Sequence, residues 1–121
     1  ILVDDSIVRG TTARTNLVRP LREAGIEEIH MRSGFPPVID TCPFGIDMKT
    51  REEQFANQHP ENERARELGV DSLCYLEMQD LIDAANEVSK SKEKLTNADF
   101  CTHCITSIDP QEEGLRTDKR E

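Results

Sequence analysis

The sequence predicts an α/β fold built on parallel strands, with a helical segment toward its C-terminus, and three observations predict it. Ile1-Leu2-Val3 and the alternation of Ile29 and Met31 with His30 and Arg32 read as strands. Between them Ala13, Leu17, Leu21 and Ala24 recur at helical spacing. A strand, helix and strand joined this tightly form a right-handed parallel βαβ unit, because a short crossover packs back onto a twisted sheet only with that hand.

Each element has its own reason. The first strand ends in two carboxylates, Asp4-Asp5, and Ser6 to Thr12 is a small turn containing Gly10. The helix from Thr12 has Thr11 or Thr12 as its expected N-cap and Gly25 just past its end. Pro20 interrupts it, removing a hydrogen bond at a cost of roughly 3 kcal/mol unless something compensates, so a kink is expected there. Residues 28 to 32 form the second strand, and 33 to 47, with Gly34, Pro36-Pro37, Pro43 and Gly45, an irregular loop. Two short helices over 50–58 and 60–68 end at Gly69. A strand over 73–76 precedes a helix over 78–88 that turns Met78, Leu81, Ile82 and Ala85 inward. Residues 89 to 99 read as a polar linker and the charged tail from Asp109 as mobile, which divides the chain into 1–88 and a linker with a cysteine-containing tail over 89–121.

Composition limits the rest. A chain of 121 residues holds one domain, and with 36% hydrophobic and 32% charged residues it is short of core material, so it reads as part of a larger fold. The absence of an initiator Met points the same way. A net charge of −9 is the wrong sign for neutralising phosphates, which argues against nucleic acid or an anionic membrane as partner. No apolar run reaches the roughly 18 residues that cross a bilayer, so a cytoplasmic protein is expected. Four cysteines without a secretory signature suggest metal ligation or buried thiols rather than disulfides.

Ligands of open parallel sheets bind beyond the carboxyl ends of the strands, where Asp4 and Asp5 stand. Two acids there can accept hydrogen bonds from vicinal hydroxyls. The turn that follows offers the hydroxyls of Ser6, Thr11 and Thr12, removes bulk at Gly10, and leads into a helix N-terminus whose amides favour an anion. A diol and a phosphate together describe a ribose 5-phosphate. The alternative is that Asp4-Asp5 caps a turn and Thr11-Thr12 caps a helix. Neither GxGxxG nor GxxxxGK[ST] occurs, which excludes the dinucleotide and Walker readings.

The string Asp4-Asp5-Ser6-Ile7-Val8-Arg9-Gly10-Thr11-Thr12 resembles the phosphoribosylpyrophosphate signature of the type I phosphoribosyltransferases, whose fold is a Rossmann-like parallel sheet, and in wording that of the amidophosphoribosyltransferases. The resemblance extends through Leu21 to Gly25, Pro36-Pro37, Cys42 with Gly45-Ile46-Asp47, Thr50 to Glu53, Asp71 to Leu73, Tyr75-Leu76 and Cys101-Thr102-His103-Cys104, thus over residues 1 to 108. It implies that Asp4 and Asp5 hold the ribose hydroxyls near Mg²⁺. It implies that Ser6, Ile7, Val8, Arg9, Gly10, Thr11 and Thr12 cradle the 5-phosphate, largely through backbone amides, with Arg9 the loosest member. The implied reaction displaces pyrophosphate with glutamine-derived ammonia, giving 5-phosphoribosylamine at the first step of de novo purine biosynthesis. Glutamine would be hydrolysed in a separate N-terminal domain outside these 121 residues, so none of the four cysteines is the glutaminase nucleophile and this piece alone is expected to be inactive. Purine nucleotide inhibitors and a homo-oligomeric complete enzyme are likewise implied.

Cys101-Thr102-His103-Cys104 spaces two thiolates for one metal centre, and Cys42 stands in the Pro/Gly loop, so three thiolates can converge, although ordinary buried thiols explain the pattern as well. The resemblance implies that Cys42, Cys101 and Cys104 are ligands of a [4Fe-4S] cluster whose fourth ligand lies upstream of residue 1. They are expected on one side of the fold, with the C-terminal segment folded back over the 33–47 loop. Zinc, with His103 making a Cys/His site, is the alternative metal. Cys74 reads as a core thiol, and His30, His59 and His103 as polar-face or loop residues without a general-base role. Two other functions compete: a non-catalytic phosphoribosylpyrophosphate sensor, disfavoured by the acidic surface and the cysteine triad, and a metal-stapled structural domain in which Asp4-Asp5 is incidental.

Overall fold

Leu2–Asp4 (β1), His30–Ser33 (β2) and Ser72–Tyr75 (β3) form a parallel sheet in that spatial order in the computed structural model, which describes residues 1–48, 50–110 and 112. Side chains alternate across a strand, so register decides which of them meet. Leu2, Met31 and Leu73 are neighbours on one face, and Val3, Arg32 and Cys74 on the other. The first face is covered. Met31 is fully buried among Ile7, Ala13, Val18, Ile29, Phe55, Leu68 and Val70, with Leu2, Leu73 and Tyr75 packed against that cluster. The second face leaves Val3 72% exposed. Cys74 shares it and is exposed, which corrects the expectation of a core thiol: its strand is as expected, and the two-residue period turns it away from the core.

The first helix forms with two pitches. A π-helical stretch Ala13–Val18 runs directly into α1, Arg19–Glu23, and the Arg19 N–H donates to the carbonyl of Arg14, five residues back. Pro20 stands in the first turn of α1. Widening the preceding turn relieves the clash that its ring would make with the carbonyl four residues back in an α-helix, so the expected strain is met by a change of pitch. The core changes with it. Ala13 and Val18, five apart, are the buried pair, whereas the four-residue spacing pointed to Leu17. At the C-terminal end Gly25 adopts φ 85°. The Ile26 N–H reaches the Leu21 carbonyl and the Gly25 N–H the Arg22 carbonyl, both at 3.0 Å, which is the Schellman closure. Arg22 then fans out to the carbonyls of Ile26, Glu27 and Gly69 and to Asp71 Oδ2. Asp71 also accepts the Ile29 N–H at 2.8 Å, so one side chain joins the entry of β2 to the entry of β3.

The helices expected over 50–58 and 60–68 are a 3₁₀ turn Arg51–Glu53, a single turn α2 at Phe55–Gln58, and α3 at Glu61–Leu68, closed by a left-handed Gly69. A reciprocal capping box between Thr50 and Glu53 opens the run. Helix α4, Met78–Val88, buries Ile82 as expected. The stretch read as a polar linker is tied back where it follows α4: the Asn86 side-chain amide donates to the Leu95 carbonyl and accepts the Leu95 N–H, and a second capping box starts the 3₁₀ turn Asn97–Asp99. The last element, α5 at His103–Thr106, lies against the 33–47 loop, where the Cys104 carbonyl accepts the N–H groups of Ile39 and Asp40 at 2.8 and 3.0 Å. Of the charged tail, residues 111 and 113–121 lie outside the described residues. No helix among the described residues is long and apolar enough to cross a membrane.

Candidate functional site

Asp4 is the last residue of β1 and Asp5 the first beyond it. Asp4 Oδ1 accepts the Asp5 N–H at 3.1 Å and Asp5 Oδ1 the Ser6 hydroxyl at 3.3 Å. These local bonds orient each carboxylate and leave its second oxygen for a ligand. Among the described residues neither acid is in an ion pair. Gly34, next to the end of β2, donates its N–H to the Asp4 carbonyl at 2.8 Å and so holds the point where the chain turns.

The loop is anchored from inside. Ile7 is 2% exposed and plugs into the core, so its side chain faces away from any ligand and only its backbone can serve one. The Val8 carbonyl accepts the Phe55 N–H at 2.7 Å. Gly10 adopts φ 73°, and a Cβ there would lie 2.6 Å from Phe55 Cδ2. The helix starts at Gly10, whose carbonyl accepts the Arg14 N–H at 2.9 Å. Thr12 is already helical and makes no side-chain cap, which corrects the expected N-cap at Thr11 or Thr12. The physical consequence favours a ligand: a glycine at the start of a helix supplies no side-chain oxygen to the first amides, which then remain as donors.

Asp4 to Ala13 line one cleft of about 750 Å³, whose remaining wall is Ile46, Asp47 and Met48. All nine residues from Asp4 to Thr12 anticipated in the sequence therefore share a cavity. The wall from 46 to 48 was not anticipated as part of it; the nearest local signal is Gly45, at φ 85°, which turns that stretch.

The three cysteines expected to converge are each half-buried, and all four thiols are free. Burial pushes the Cys104 thiol up, and the neighbouring Cys101 and Cys42 push it further. Together with the Cys104 carbonyl on Ile39 and Asp40, this puts the C-terminal segment over the 33–47 loop on the same side as Cys42. Among the described residues no three His, Cys, Asp or Glu side chains are grouped to hold one metal ion. The iron–sulfur and zinc readings both call for such a group.

His103 is not the exposed loop residue expected. It starts α5, its Nδ1 lies 2.8 Å from the Ile108 carbonyl and its Nε2 3.9 Å from Asp40 Oδ2. Asp40 is held below the usual carboxylate range, first by the Thr41 N–H. His30 bridges Ser72 and Glu28 at the other end of the sheet, and the His59 ring tilts against Phe55 at 4.8 Å.

No family model matches the chain. It is 46% identical over 110 residues to the amidophosphoribosyltransferase of Archaeoglobus fulgidus, covering 91% of this chain and 22% of that one. The amidophosphoribosyltransferases of Methanocaldococcus jannaschii and Bacillus subtilis are 41% and 39% identical over 112 residues, each alignment covering 93% of this chain. The solved structure of the B. subtilis glutamine phosphoribosylpyrophosphate amidotransferase, complexed with ADP and GMP, matches with a TM-score of 0.73 at 39% identity, over 89% of this chain and 23% of that one. The chain thus spans about a fifth of the length of the curated relatives it matches.

Proposed function

Because the chain is homologous to one segment of the amidophosphoribosyltransferases, with their α/β fold, we propose that it is the part of such an enzyme that holds phosphoribosylpyrophosphate. The complete protein would form 5-phosphoribosylamine, opening purine synthesis in the cytoplasm as a homo-oligomer subject to purine nucleotides. One observation carries the reading: two carboxylates at the carboxyl end of a parallel strand share a cleft with a glycine-started helix N-terminus.

In this reading Asp4 and Asp5 accept hydrogen bonds from the two ribose hydroxyls, and the amides of 10 to 12 with the hydroxyls of Ser6, Thr11 and Thr12 hold the 5-phosphate. Ammonia, supplied from glutamine elsewhere in the protein, bonds to C1 as the bond from C1 to the pyrophosphate oxygen breaks. The electron pair leaves with pyrophosphate, and the new amine loses a proton to water. Positive charge builds on the sugar in between, and the paired carboxylates would stabilise it, so the chain contributes position and field rather than a covalent nucleophile. The oxygens of Asp4 and Asp5 suit a hard cation, and Mg²⁺ bound there would neutralise the leaving pyrophosphate. Cys42, Cys101 and Cys104 would supply three thiolates to a [4Fe-4S] cluster that would staple the tail to the domain, the fourth thiolate coming from outside the 121 residues.

The test uses the complete protein with both acids changed, Asp4→Asn and Asp5→Asn. Phosphoribosylamine formation is expected to disappear while glutamine hydrolysis persists; formation near the parental rate overturns the assignment. Iron and sulfide analysis after anaerobic preparation tests the cluster, and a colourless, iron-free product overturns it.

A further inference from the structure

We propose that Phe55 is the positioning residue of the phosphate cradle, a role that rests on the reading of that cleft as a ribose-phosphate site. Phe55 does not line the cleft, so whatever it does there it does through the loop. It grips the loop twice. Its N–H holds the Val8 carbonyl at 2.7 Å, and its ring lies so close under Gly10 that a Cβ would sit 2.6 Å from Cδ2. Those two contacts bracket Arg9, and the peptide they fix belongs to the residue that starts the helix. Where the Gly10 carbonyl points decides where the following amides point, because the Arg14 N–H closes on it at 2.9 Å. A left-handed glycine without a ring beneath it has access to most of backbone space and loses more entropy on ordering than any other residue. The ring removes that freedom before a ligand arrives, and such preorganisation is recovered as affinity.

Phe55 is itself held on every side. It is 3% exposed and its ring is braced by His59 at 4.8 Å. Its backbone lies between the capping box of Thr50 and Glu53 and Asn57, whose side-chain amide donates to the carbonyls of Ile39 and Arg51 at 2.7 and 2.8 Å. Arg9, Gly10, Thr11 and Arg14 line a small pocket of about 110 Å³ with Phe55, Gln58 and His59, so a shorter side chain at 55 would enlarge a void directly beneath the cradle.

The test compares Phe55→Leu with Ile29→Val in the complete protein. Both trim the same buried cluster, and it is the Phe55 ring that lies against Gly10. Two quantities are read at a temperature where all forms are folded: the dissociation constant for ribose 5-phosphate by calorimetry, and hydrogen exchange of the peptide carrying the Arg14 amide by mass spectrometry. Phe55→Leu is expected to exchange faster at that peptide and to bind ribose 5-phosphate about tenfold more weakly, with Ile29→Val matching the parent in both. Equal exchange in the two variants overturns the clamp, whatever the affinities. Faster exchange in Phe55→Leu beside a parent that does not bind ribose 5-phosphate overturns the ligand reading of the cleft instead, and with it the role of Phe55 in serving a phosphate.

Discussion

Gly10 shows how much can depend on a side chain that is not there. Its φ of 73° costs an L-residue about 1–2 kcal/mol, and a methyl pressed into the Phe55 ring adds an overpacking cost of about 1–3 kcal/mol. Gly10→Ala is therefore expected to lower the melting temperature by an amount equivalent to about 2–5 kcal/mol and to abolish ribose 5-phosphate binding; a variant with parental melting and affinity would contradict both. Gly25 has a φ of 85°, but a methyl placed there would meet nothing within 4 Å, so only the conformational part of the cost applies. Cys74 offers a second residue-scale test. It is the exposed thiol of the four, and alkylation is governed by access and thiolate content, so iodoacetamide added to the native chain should label Cys74 ahead of Cys42, Cys101 and Cys104, as read by peptide mass spectrometry.

Between elements, Asp71 is a junction sensitive to acid. The Ile29 N–H holds its carboxyl below the usual range, followed by Arg22, so the folded state favours the ionised form. A carboxylate held down in this way stabilises the fold at every pH above its unfolded value, near 3.9, and that contribution is lost as pH falls through the lower folded value. Melting of the parent and of Asp71→Asn should therefore run parallel between pH 7 and pH 5 and converge below about pH 4; curves that stay parallel into acid would remove Asp71 from the account. The elements themselves were legible in the sequence to different depths. Strand, loop, helix and strand follow from patterns a few residues long, and Asp4 to Thr12 are contiguous, so their shared cleft could be anticipated. The i, i+4 pattern could not show that Pro20 would be accommodated by a π-helical turn that exchanges Leu17 for Val18 in the core. Nor could any local pattern show that Ile46 to Met48 and Phe55 approach the loop, because those contacts are made by residues far along the chain.

Across the whole molecule, the stretch from Thr50 to His59 is the tie between the 6–12 loop and the C-terminal segment. Phe55 reaches Val8 in that loop, Asn57 reaches Ile39, and Ile39 with Asp40 reaches Cys104. Asn57→Ala removes the donor from two carbonyls and is expected to cost about 1–3 kcal/mol and to make the 33–48 loop the first site of cleavage under limited proteolysis; cleavage beginning elsewhere would place the tie in another residue. The same chain of contacts has a consequence in time. A polypeptide emerges from its N-terminus, and the cradle at residues 8 to 10 cannot close until Phe55 has been made, a wait on the order of 2–10 s at about 5–20 residues per second. The 33–47 loop waits longer still for Cys104, whose carbonyl takes the N–H groups of Ile39 and Asp40. During translation both loops are thus finished in sequence but unfinished in shape, exposed to proteases for an interval set by the ribosome rather than by the fold.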